Sequence, residues 1–111
     1  WVLILMFENI FKEGIVVNWM KDRIAKSKID KYYKLTSEAL GIARKAVVKN
    51  KVEEGEEIFL MVSSYLSDAM HFKKEGRLVD AYGALNYAHG WLDCGARLRI
   101  YRVSDNRLFT V

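Results

Sequence analysis

The stretch Asp68-Ala-Met-His-Phe-Lys-Lys-Glu-Gly76, followed by Asp80-Ala-Tyr-Gly-Ala-Leu-Asn-Tyr-Ala-His-Gly-Trp-Leu-Asp93, decides how this chain is built. It reads as the end of one helix, a glycine stop and a second helix. Lys73 and Lys74 fill the last turn of the first, where cations suit the helix dipole. Gly76 then supplies the left-handed cap that ends a helix. Downstream, Leu78, Ala81, Leu85, Ala88, Leu92, Ala96 and Arg99 recur at about 100° per residue, which predicts a helix over residues 77–100. Ala84, Tyr87, Trp91, Gly95 and Leu98 widen its apolar arc to roughly 200°, more than two neighbouring helices cover.

Upstream, Ile58, Met61, Val62, Tyr65, Ala69 and Phe72 form the core stripe of a helix predicted over 52–75. Glu53, Glu54, Glu56 and Glu57 crowd its first turns, again matching the dipole. A further helix is predicted over 29–49 from Ile29, Tyr32, Tyr33, Thr36, Ala39, Leu40, Ala43, Ala46 and Val47, with Ser27 or Asp30 placed to cap its start. The connections at 50–51 and 76–77 are short, so neighbouring helices must run antiparallel. Residues 6–25 carry apolar clusters around Ile10, Phe11, Val16 and Trp19 and predict one more helix. The expected fold is therefore all-α: an up-and-down antiparallel three-helix bundle over 27–111 with a short C-terminal tail, plus an N-terminal apolar helical extension over 1–26. The tail, Val103-Ser-Asp-Asn-Arg-Leu-Phe109, has a turn signature and then apolar residues, and is expected to fold back onto the bundle.

The chain of 111 residues, 51% hydrophobic and 29% charged, suits one globular domain. Proline is absent, which favours uninterrupted helices. The apolar run at residues 1–7 is broken by Glu8, too soon for a membrane span of about 20 residues, and has no basic leader of a signal peptide. The chain begins with Trp1, so residues before it and a natural start at Met6 are both open. A lone cysteine, Cys94, cannot make an intrachain disulfide; a reducing cytoplasm is expected, with Cys94 as a small buried side chain.

Net charge is +4 but uneven. Residues 21–51 hold ten Lys and Arg against three acids, whereas residues 52–76 hold two Lys against six acids. The basic half and the Arg97, Arg99, Arg102 and Arg107 end suit nucleic acid. Solvated helix faces explain the same charges without a partner, and the spacing matches no recognition module.

Asn86, His89, Asp93 and Arg97 share one edge of the last helix, and Asp68 and His71 form a similar pair on the helix before it. Convergence of the two stripes would suit a divalent metal or acid–base work. No metal-ligand motif is present, however, and an Asp93–Arg97 ion pair with a His89–Asp93 hydrogen bond explains the edge as helix chemistry. These six residues are the candidate ligand or partner edge; no catalytic residue, metal site or cofactor is assigned. Gly83 and Gly90, seven apart, suggest close approach of a helix or a ligand, helix contact first. Tyr87, Trp91 and Leu98 are the candidate interface.

At Tyr65-Leu-Ser-Asp-Ala-Met-His-Phe, Gly76, Asp80-Ala, Ala84-Leu-Asn-Tyr-Ala-His-Gly-Trp-Leu-Asp93, Ala96-Arg97-Leu and Leu108-Phe109, the chain resembles the archaeal family called domain of unknown function 357. The likeness runs from about Ile29 to the C-terminus, and Tyr-Ala-His-Gly-Trp-Leu-Asp is its most specific string. It implies a three-helix bundle of archaeal cytoplasmic origin and carries over no established activity. A weaker resemblance is to helical HEPN domains, whose catalytic Arg-x(4 to 6)-His is absent: Arg77 precedes His89 by twelve positions, which argues against RNase activity. The function expected is a non-enzymatic protein-interaction or ligand-binding module that self-associates, a dimer or a complex with another protein. The alternative is a nucleic-acid- or nucleotide-associated accessory protein.

Overall fold

The computed structural model describes residues 23–110. Within them lie three helices: α1 (Lys26–Arg44), α2 (Val52–Lys74) and α3 (Leu78–Arg97), with a short 3-10 turn at Lys49–Lys51. The helix expected over 6–25 lies mostly outside the described residues, and Arg23–Ala25 are not helical.

α2 and α3 form the most extensive pairing, an antiparallel hairpin, and α1 packs across both. The hairpin closes as the glycine stop predicts. Gly76 takes φ 76, and the amides of Gly76 and Arg77 donate back to the carbonyls of Lys73 (3.0 Å) and Phe72 (2.9 Å).

Three helix boundaries differ from the periodicity. α1 starts from Ala25 in an extended conformation; Ser27 and Asp30 lie inside the helix, and Asp30 pairs instead with Lys73 of α2. α1 also stops at Arg44, not at 49. Ala46–Val48 run extended and pair with Ile100–Arg102: Val48 donates to the Ile100 carbonyl (2.9 Å) and Arg102 to that of Ala46 (3.0 Å). β-branched Val47 and Val48 suit that conformation. α3 ends at Arg97 because Arg99 takes φ 59, with the Arg99 and Ile100 amides donating to Ala96 (3.1 Å) and Gly95 (3.0 Å). This is the same cap as at Gly76, built on an arginine.

The core holds Ile29, Ala39, Ala43, Ile58, Val62, Ala69, Ala81, Leu85, Ala88 and Leu92, most of the predicted stripes. On α2 the buried face is rotated: Phe59 and Leu66 are buried, while Met61, Tyr65 and Phe72 are half-buried. The tail does fold back. Leu108 and Phe109 are as buried as the helix core, each fully buried side chain contributing roughly 1.5–3 kcal/mol. Glu54, in the first turn of α2, has its carboxyl held below the ordinary carboxylate value by a backbone hydrogen bond and by Lys51 at 3.3 Å. Cys94, expected to be buried, is exposed, because it points outward between Trp91 and Leu98.

Candidate functional site

α3 turns one edge toward α1, and His89 is its centre. Its Nε2 lies 2.6 Å from the Leu108 carbonyl, and its Nδ1 3.1 Å from the hydroxyl of Thr36 on α1, a residue only 2% exposed. A carbonyl can only accept, so Nε2 donates its hydrogen to Leu108, and Nδ1 shares the second hydrogen bond with the Thr36 hydroxyl. One turn on, Asp93 accepts from the Thr110 amide (2.9 Å) and hydroxyl (3.1 Å). Its nearest oxygen is 3.9 Å from His89 Nε2, too far for the hydrogen bond that their spacing suggests. Arg107 closes the strap by donating to Glu38 of α1 at 2.8 Å, and that carboxylate raises the guanidinium's pKa above its ordinary value. His89 and Asp93 thus bind the chain's own tail across α1 and α3. Among the described residues no buried side-chain nitrogen or oxygen lacks a partner.

Beside the strap, α1 and α3 leave a groove of about 290 Å³. Tyr32, Leu35 and Leu85 make its apolar wall, Gly90 leaves backbone bare, and Asn86, His89 and Asp93 face it. Three residues of the sequence-predicted edge therefore do meet in one place. Asn86 has no hydrogen-bond partner among the described residues, which leaves one side-chain amide to recognise a ligand.

The other members of that edge lie elsewhere. Asp68 is exposed on α2, and His71 opens onto the opposite cleft, between α1 and α2, where it sits 3.2 Å from Glu75. The two stripes do not converge, because α1 separates the groove of His89 from the cleft of His71. No group of three or more His, Cys, Asp or Glu capable of holding a metal occurs among the described residues. Arg97 makes no pair with Asp93, whose oxygens are taken by Thr110; it projects from the far end of α3.

Gly83 and Gly90 receive no helix among the described residues. Nothing described stands within 4 Å of a Cβ at either, so the expected helix contact is not made there. The close approach falls on Gly95, where a Cβ would overlap the ring of Tyr101. That ring is buried, and its hydroxyl donates to the Leu92 carbonyl. Burial, then the charge of Asp93, pushes the Tyr101 hydroxyl well above its usual pKa. Spacing gives no sign of this pair, although a glycine in the last turn of a helix, six residues before a tyrosine, is a usable hint.

The third surface is the outer face of the α2–α3 hairpin, away from α1. Tyr87 and Leu98 are 57% and 65% exposed, with half-buried Trp91 between them. Tyr87 meets Tyr65 of α2 edge to face, ring centroids 4.7 Å apart.

No helix among the described residues is long and apolar enough to cross a membrane. No curated protein and no solved structure shows significant similarity to the chain. A family model described as protein of unknown function (DUF357) matches residues 31–101. That span takes in α2, α3 and most of α1, more than half of the chain, and the protein belongs to this family.

Proposed function

We propose that the protein is a non-enzymatic interaction module that self-associates, with a second copy seated on the outer face of α2 and α3. The observation that carries this is the exposure of Tyr87 and Leu98 on either side of Trp91, along one stripe of α3. Exposed apolar side chains grouped on one face mark an association surface. The choice of a second copy rests on self-complementarity. A two-fold, antiparallel crossing of α3 on α3 lays the apolar stripe against its own copy and opposes the helix dipoles. It also places Tyr87 opposite Leu98 of the other copy and brings the two copies of Cys94 near the axis, roughly 5 Å apart along it at 1.5 Å rise per residue.

Light scattering from micromolar to millimolar concentration should show a dimer, and mild oxidation should link it through the exposed Cys94. Leu98→Asp should abolish both. A monomer throughout that range overturns the reading. The non-enzymatic part is supported by His89 and Asp93 being hydrogen-bonded to the tail. An exposed free thiol fits a reducing, cytoplasmic setting.

A second reading, a small-ligand site in the groove between α1 and α3, is favoured by Asn86 standing unpartnered above the bare backbone of Gly90. Gly90→Leu would fill that groove. A ligand found by thermal-shift screening of the native protein that still binds this variant would exclude the groove.

A further inference from the structure

The turn that ends α3 early also gathers charge. Arg97, Arg99 and Arg102 line one open groove of about 830 Å³, together with Val48, Tyr101 and Ser104. No carboxylate lines it. All three arginines are exposed, and no guanidinium among them makes an ion pair or hydrogen bond with the described residues. Arg107, which the sequence groups with them, is drawn away to Glu38. The pairing of Ala46–Val48 with Ile100–Arg102 adds Lys45 and Lys49 at the flank, both exposed and likewise unpaired.

Three guanidinium groups around one concavity, with no counter-charge lining it, repel one another until an anion sits between them. Guanidinium geometry matches phosphate oxygens two at a time. The ring of Tyr101 is buried and its hydroxyl occupied, so the groove offers no aromatic face on which a base could stack. It is also open, which suits a chain better than an enclosed small molecule. We propose that this groove binds the phosphates of a polyphosphate chain, the backbone of single-stranded nucleic acid or inorganic polyphosphate, by charge and without reading bases.

The test is fluorescence anisotropy of a labelled oligouridylate titrated with the full chain at several salt concentrations. Arg97→Gln, Arg99→Gly and Arg102→Gln combined should weaken binding at least tenfold and lower the log–log salt slope by about 2, near 0.7 per lost single-strand phosphate contact. Arg99→Gly suits the positive φ at that position, so the loss of charge need not come with loss of fold. Circular dichroism confirms that the variant is folded. Lys26→Gln, Lys31→Gln and Lys34→Gln combined remove the same charge from α1, away from the groove, and should leave most of the affinity. Inorganic polyphosphate carrying as many phosphates as the oligonucleotide should displace it; failure of this equally charged chain to compete would show that bases are read and overturn the proposal. So would absence of binding at low salt, or equal weakening by the two triple variants.

Discussion

The ring of Tyr101 lies against the backbone of Gly95, in the space a side chain there would need. One residue from α3 and one from the extended segment after it thus lock the end of the bundle. Gly95→Ala gains about 1 kcal/mol of helix propensity. It nevertheless should destabilise the protein by about 1–3 kcal/mol, because the overlap is with a buried ring. Gly83→Ala and Gly90→Ala meet nothing within 4 Å among the described residues and should stabilise by up to about 1 kcal/mol each. Urea denaturation of the three variants reads the contrast. Stabilisation by Gly95→Ala would show that the ring does not lie there.

Tyr101 also sets an alkaline limit. Its folded-state pKa is raised, so folding favours the neutral phenol. That contribution is intact below the unfolded value of about 10 and is lost as pH rises from there toward the folded value. Tyr101→Phe should be about 1 kcal/mol less stable at pH 7, having lost the bond to Leu92. The difference should shrink between about pH 10 and 11. Thermal melts of both proteins across that range check it.

The tail should behave as core. Phe109→Ala should cost roughly 3–5 kcal/mol, as at a helix-core aromatic. A loss below 1 kcal/mol would mean that the tail is not docked.

His89→Ala should cost about 1–3 kcal/mol, since it leaves the buried Thr36 hydroxyl unpaired. Adding Thr36→Val removes the orphaned group. The double variant should therefore be less destabilised than the sum of the singles in a double-mutant cycle; strict additivity would refute the Thr36–His89 bond.

Arg99→Gly should raise stability by about 1 kcal/mol, because glycine adopts positive φ without the steric penalty that arginine meets there. A chemical-denaturation midpoint that falls instead would argue that the arginine side chain contributes to the fold.

Much of this architecture was legible because its signals are local. The dipole-matched charges around α2, the stop at Gly76 and the apolar spacing of Leu85, Ala88 and Leu92 all act within a few turns. The candidate edge was half legible. Asn86, His89 and Asp93 do line one groove, but Asp68 and His71 face elsewhere, because helical spacing says which residues share a face and not which neighbour that face meets.

Local patterns in the sequence determined three helices, an antiparallel hairpin and a tail apolar enough to return. Tertiary structure decided where α1 and α3 stop, which glycine is pressed, and what His89 and Asp93 hold. Each of these depends on a partner far along the chain: Val47 with Tyr101, Thr36 with His89, Asp93 with Thr110. Such contacts form when the hairpin packs against α1 and buried polar groups must find partners. No periodicity within a single helix encodes that choice.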